Sequence, residues 1–234
     1  MKKVAVFVEG QTEQVFTEEL FKHMFGHAMI NIETLQFSGG TGIRQIRTIR
    51  SLEISSSTKY FIRIYDCHGG GNNSTVKSDI IEQFPYLVKE SFSYIIGIRD
   101  VYPLPDLELL RNIMHIGLPN DIKLPIKMVL AVREVESWFL AEENHYLLID
   151  ALLTTSFVNK MIGFDITTNS TETIDQPSIT LKKVYQTVGK DYNKKKWETQ
   201  RTVHCIDYDN LYLAVRNRNN SLNELLTCLD GLIP

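Results

Sequence analysis

The residues best suited to chemistry in this sequence are acidic side chains that follow short apolar runs. Four such runs end on a carboxylate, and two further glutamates follow closely: Glu9, Glu13, Asp66, Asp100, Glu134 and Glu136. In an open parallel α/β sheet, ligands bind outside the carboxyl ends of the strands. Clustered carboxylates repel each other unless they are protonated or bridged by a cation, and Mg²⁺ prefers oxygen ligands. The pattern therefore predicts a site for Mg²⁺ or Mn²⁺ whose ligands come from Glu9, Asp66, Asp100, Glu134 and Glu136.

The same acids have a second interpretation as local stabilising groups. Each could lie at the start of a helix, where a negative charge is favoured by about 0.3–1 kcal/mol. The run from Arg133 to Glu136 could likewise form salt bridges within itself, and Arg99 could pair with Glu134 or contact a phosphate. The residue pattern leaves both interpretations open.

A glycine-rich segment, Ser38 to Arg44, lies between a predicted strand and a predicted helix. Phosphate-binding loops occupy this position in α/β proteins. The segment lacks the lysine of a P-loop and does not match the G-x-G-x-x-G pattern. It is a weak candidate phosphate site through Gly39, Gly40 and Arg44, and a plain tight turn is the alternative.

Basic residues with interleaved aromatic residues concentrate late in the chain, around Lys194, Lys195, Lys196 and Trp197. Lysines can neutralise a nucleic-acid backbone while aromatic rings stack on bases. One interpretation is therefore nucleic-acid binding through Lys194, Lys195 and Lys196, and the other is a solvated helix face.

Alternating strand and helix patterns must position these groups. Apolar runs predict strands at residues 4–8, 32–37, 60–65, 94–98 and 126–132, with helices between them, one of them over 43–52. Strands separated by helices favour parallel pairing. We expect an α/β fold, Rossmann-like, with a mostly parallel sheet of about four to five strands flanked by helices. Residues 1–145 would form this domain, and residues 146–234 a mainly helical C-terminal region.

Composition limits the classes of function. The 234 residues carry a net charge of −3, which gives no overall attraction to nucleic acid or anionic membranes. Three cysteines without a C-x-x-C pair indicate a reducing compartment. The apolar run before Glu9 is too short for a signal peptide, and no run suits a transmembrane helix. We expect a cytoplasmic protein without a membrane partner.

Several motifs carry a family resemblance. The V-E-G-x-T-E pattern of Val8–Glu13 resembles the opening motif of TOPRIM domains, the metal-binding fold of topoisomerases, primases and OLD-type nucleases. The chain is also similar to an uncharacterised bacterial family described as TOPRIM-like. The matching segments, spread over most of the chain, are residues 8–13, 37–40, 98–103, 133–141, 176–177, 192–194 and 221–222.

The resemblance implies a function and roles for single residues. Glu9 would act as general acid or base, and an Asp-x-Asp pair would hold Mg²⁺. This sequence offers one acid at Asp66 and one at Asp100 where two are expected, so that Glu134 or Glu136 could supply the missing ligand.

The implied activity is Mg²⁺-dependent, nuclease-like processing of phosphodiesters in nucleic acid. In that activity Glu13 or Glu9 would move the proton, and Arg99 or Arg133 would neutralise charge. The alternative that the resemblance implies is an inactive TOPRIM-like module that binds a nucleotide, a nucleic acid or a partner protein.

Overall fold

The computed structural model of the chain describes residues 1–38, 45–51, 57–68, 75–102 and 106–233. The strands in this part are β1 (Lys2–Val8), β2 (Ile30–Ser38), β3 (Gln45–Ser51), β4 (Tyr60–Asp66), β5 (Tyr94–Asp100) and β6 (Ile126–Ala131). The α-helices are α1 (Gln11–Phe25), α2 (Val76–Lys89), α3 (Leu107–His115), α4 (Glu136–Ala141), α5 (His145–Ile149), α6 (Thr155–Ile162), α7 (Pro177–Gln186), α8 (Lys196–Cys205), α9 (Tyr208–Leu213) and α10 (Asn220–Asp230). Short 3-10 helices lie at Thr171–Thr173 and Val215–Asn217.

The strands form one sheet in the order β3-β2-β4-β1-β5-β6. Strand β1 pairs in parallel with β4 and β5, and β2 pairs in parallel with β4. Backbone hydrogen bonds from Ile95 to Pro125 and from Val101 to Ala131 keep the same offset, so β6 also runs parallel to β5. Residues Val4–Val8 of the central strand are fully buried, as expected for a parallel strand covered on both faces. The predicted α/β fold with a mostly parallel sheet and C-terminal helices is confirmed.

The helix predicted over residues 43–52 is wrong. The described part of this segment is the strand β3, which pairs antiparallel with β2 at the edge of the sheet. Thr34 pairs with Arg50 and Leu35 with Thr48, so the register skips Ile49, as it does at a β-bulge. The spacing of Ile46 and Ile49 by three residues suggested a helix, and the bulge explains how a strand accommodates it.

The chain divides into two compact units. The first unit comprises Met1–Arg99 and Asp106–Leu130, and the second comprises Asp100–Pro105 and Ala131–Pro234. In the second unit, fully buried aromatic side chains such as Trp138, Tyr146 and Tyr185 form much of the core. The division that the sequence predicted at residue 145 stays a prediction.

Local signals explain several helix ends. The side chain of Thr154 accepts a hydrogen bond from the backbone N–H of Phe157 and so begins α6, and Gly163 ends that helix in the left-handed conformation. Asp106 begins α3 in the same way, by accepting from Leu109.

Within the described ranges, none of the helices combines the length and the apolar character that crossing a membrane requires.

The structure joins none of the described cysteines, Cys67, Cys205 and Cys228, in a disulfide. The cytoplasmic location itself stays a prediction.

Candidate metal site

Three acids predicted as metal ligands converge in the second unit. Asp100 is the last residue of β5, Glu134 follows β6, and Glu136 is the first residue of α4. One carboxylate oxygen from each of the three lies within 4.8 Å of the others. Among the described residues, Asp100, Glu134 and Glu136 are the acids, histidines or cysteines that lie close enough together to hold a metal ion.

Each of the three carboxylates is held by a hydrogen-bond donor of the protein. The backbone N–H of Val135 donates to Asp100 Oδ1 over 3.1 Å, and the backbone N–H of Ser178 donates to Glu134 Oε2 over 3.0 Å. The Tyr192 hydroxyl donates to Glu136 Oε1 over 2.9 Å. One oxygen of each acid is therefore fixed in place, which orients the group before any ion binds.

The other oxygens of the two glutamates face the ammonium group of Lys194. Its Nζ lies 2.9 Å from Glu134 Oε1 and 3.1 Å from Glu136 Oε2. The backbone of Lys194 has a φ of 57° and that of Arg133 a φ of 68°, a region that residues other than glycine adopt uncommonly. The fold thus holds a cation against the carboxylates at some conformational cost, a feature that clusters at functional sites.

Burial and the lysine set the electrostatics of this cluster. Burial raises the pKa of Glu136, which is 0% exposed, although Lys194 acts in the opposite direction. Burial also acts to raise the pKa of Glu134, but the Lys194 ammonium and the Ser178 N–H outweigh it, so the pKa lies below its usual range. Burial acts to lower the pKa of Lys194. The charges of Glu136, Glu134 and Asp100 outweigh burial, so this pKa lies above its usual range. Three carboxylates thus act on the Lys194 ammonium, and the same arrangement suits a cation of higher charge.

The remaining predicted acids lie in the first unit and have other partners. Glu9 Oε2 lies 4.0 Å from Arg99 Nε, and Arg99 Nη1 contacts Met114 Sδ at 3.2 Å. Glu13 is buried in the first turn of α1. Glu9 and Arg99 therefore form a long ion pair.

Both carboxylate oxygens of Asp66, at the end of β4, accept hydrogen bonds. Its Oδ1 accepts the backbone N–H of His68 over 2.9 Å, and its Oδ2 accepts the Gln36 amide over 3.2 Å. Burial raises the pKa of this carboxyl, against the effect of these donors.

The basic residues predicted to neutralise charge or bind nucleic acid lie in different surroundings. Arg133 Nη1 lies 3.2 Å from Asp175 Oδ1, and Lys194 lies in the acidic cluster, whereas Lys195 and Lys196 are exposed. Nucleic-acid contact through these lysines is untested. The predicted phosphate-binding residues Gly39, Gly40 and Arg44 lie outside the described residues.

Two contributors to the cluster were missed by the sequence analysis, Ser178 and Tyr192. Ser178 acts through its backbone N–H, which any residue type would supply, so its identity gave no signal. Tyr192 stands in the aromatic and basic segment that had suggested base stacking, and the structure turns it inward onto Glu136.

Comparisons with known proteins were made for families, for curated proteins and for solved structures. No family model matches the chain. No curated protein matches it either. A solved structure that matches is that of a "putative cell surface hydrolase" from Lactobacillus plantarum, at 13% identity and a TM-score of 0.28. The match covers 70% of this chain and 64% of that one, so the chain spans less than two thirds of its length.

The resemblance to TOPRIM domains is therefore wrong. No family model and no curated protein matches, and the comparisons yield no TOPRIM protein. The Mg²⁺-dependent nuclease function that the resemblance implied is wrong with it, and so is the alternative of an inactive TOPRIM-like module.

Proposed function

We propose that the second unit binds a divalent cation, Mg²⁺ or Mn²⁺, through Asp100, Glu134 and Glu136. The observation that carries this proposal is the convergence of three carboxylates. One oxygen of each accepts a hydrogen bond, from Val135, Ser178 and Tyr192 respectively. The donor set is all oxygen, which suits a hard cation rather than zinc or copper.

Lys194 is the group that a metal ion must displace. Its ammonium contacts both glutamates, and 37% of its side chain is exposed, so it has a route to solvent. A divalent ion compensates three carboxylates better than one ammonium does. The side chain therefore holds the acids together without metal and gives way when the ion binds.

The chemistry of such a site follows from its ligands. A bound ion would supply a Lewis acid, able to polarise a substrate oxygen or activate a water molecule. The protein's own groups keep the ligands aligned, because the Tyr192 hydroxyl and two backbone N–H groups hold the carboxylates in place. Buried Glu136 is the ligand most shielded from competing water.

Calorimetric titration with Mn²⁺ tests the proposal. We expect saturable binding to the native chain, with Asp100→Asn and Glu136→Gln each weakening it at least about tenfold, a loss of about 1.4 kcal/mol. Glu9→Gln and Glu108→Gln are matched controls, since Glu9 pairs with Arg99 and Glu108 is an exposed acid of α3. The proposal fails if the native chain does not bind Mn²⁺, or if the controls lose binding as the site variants do.

A further inference from the structure

A cavity of about 520 Å³ lies in the first unit, between helix α2 and the face of the sheet over β2 and β4. Its size is within the range of small-molecule sites, roughly 300–1,000 Å³. The described residues that line it come from two strands, from α2 and from the turn that follows α2: Glu33, Leu35, Arg63, Tyr65, Glu82, Gln83, Tyr86 and Glu90.

The only guanidinium among these lining residues is already neutralised. Arg63 Nε lies 2.5 Å from Glu33 Oε2, its neighbour across the β2–β4 pairing. Its Nη1 lies 2.7 Å from Glu90 Oε2. Held by two carboxylates, Arg63 is poorly suited to bind an anion from solution.

Gln83 points to a ligand. The residue is only 7% exposed and lines the cavity, yet its side-chain amide has no hydrogen-bond partner among the described residues. The amide opens onto the cavity, so a ligand with polar groups could hydrogen-bond to it in place of water.

Charge and aromatic surface indicate the kind of ligand. The described lining carries three carboxylates against one guanidinium, so the cavity is negative. Tyr86, 61% exposed, offers its ring at the cavity, next to the acidic side chain of Glu82. Acidic groups beside an aromatic face attract organic cations, and Leu35 adds apolar surface for an aliphatic chain.

We propose that this cavity is a binding site for a small organic amine of the polyamine class. An ammonium group binds between Glu82 and the ring of Tyr86, a second polar group meets the Gln83 amide, and the aliphatic segment lies on Leu35. This site belongs to the first unit and does not depend on the metal site of the second.

Titration of the full chain with spermidine at low salt tests the proposal. We expect one saturable site, weakened about fivefold or more by Gln83→Leu, and about two- to fivefold by Tyr86→Ala, the usual size of an exposed cation–π contact. Glu82→Lys reverses a charge on an exposed residue, so it should fold normally and weaken binding more than about tenfold.

The controls separate this site from general charge attraction. Glu108→Gln removes an exposed acid elsewhere in the first unit, and Glu136→Gln removes one from the metal cluster. Both should bind spermidine within about twofold of the native chain. Equal weakening by either control, absence of saturation at about 10 mM, or tighter binding of the dianion glutarate would overturn the proposal.

Discussion

Lys194 decides whether the acidic cluster of the second unit is a metal site or a closed ion pair. Its ammonium contacts Glu134 and Glu136, and its replacement by methionine removes the charge while keeping most of the aliphatic stem. We expect Lys194→Met to bind Mn²⁺ about tenfold more tightly than the native chain, because the ion no longer has to displace a cation. Without metal the variant should lose about 2–3 kcal/mol of unfolding free energy, since carboxylates remain without their partner.

The comparison uses calorimetry for affinity and urea unfolding for stability. Lys196→Met is the matched control, because Lys196 is exposed and should change neither quantity by much. Unchanged or weaker Mn²⁺ binding by Lys194→Met would show that the ion does not compete with this lysine. Binding by the variant alone, with none by the native chain, would make Lys194 the permanent cation and exclude the proposed function.

At the scale of elements, Glu142 joins the ends of three helices. It follows α4, and its carboxylate accepts the backbone N–H groups of Asn144 and His145 at the start of α5. It also accepts the backbone N–H of Asp207, which begins α9, and the side-chain amide of Asn210. Burial acts to raise the pKa of Glu142, but the His145 side chain, 3.5 Å away through Nδ1, outweighs it together with Asn210 and the Asn144 N–H, so the pKa lies below its usual range.

The lowered pKa of Glu142 gives stability a direction with pH. An acid whose pKa is lower in the folded state stabilises the fold above its unfolded pKa, about 4.3, and this contribution is lost as the pH falls. We expect Glu142→Gln to cost about 2–4 kcal/mol near pH 7 and to lose less further stability than the native chain between about pH 5 and about pH 3. Urea unfolding at both pH values measures this, with exposed Asp209→Asn as the control. Parallel losses in Glu142→Gln and the native chain would contradict it.

The elements of the sheet were largely predictable, because buried parallel strands are continuous apolar runs. The strand predicted at residues 4–8 lies within β1, which spans Lys2–Val8. The strand β3 was mistaken for a helix because Ile46 and Ile49 are three residues apart, a spacing that the bulge at Ile49 accommodates within a strand. Edge strands of this kind depend on a neighbouring strand, here β2, which local periodicity does not show.

The candidate metal site was predictable in part. The rule that ligands bind at the carboxyl ends of parallel strands selected Asp100 and Glu134. It also selected Glu9 and Asp66, whose partners Arg99 and Gln36 draw them into other contacts. The approach of Lys194 to Glu134 depends on how the helical region folds back across 60 residues of sequence, so no local pattern could reveal it.

At the scale of the whole molecule, the two proposed ligands belong to different compact units, and each should stabilise its own. Both tryptophans, Trp138 and Trp197, belong to the second unit, so their fluorescence reports the unfolding of that unit. Mn²⁺ at about 100 times its dissociation constant should raise the unfolding free energy seen by fluorescence by about 2.7 kcal/mol. Hydrogen exchange should slow around residues 132–141 in the same sample, because this segment carries Glu134 and Glu136 and the Val135 N–H that holds Asp100.

Spermidine should produce the complementary pattern, with slower exchange in α2 of the first unit and an unchanged fluorescence transition. The variants Glu82→Lys and Glu136→Gln are reciprocal controls, since each should remove one response and keep the other. A fluorescence transition that moves equally with both ligands would mean that the units respond as one cooperative body. Protection of α2 by Mn²⁺, or of residues 132–141 by spermidine, would place one of the ligands in the wrong unit.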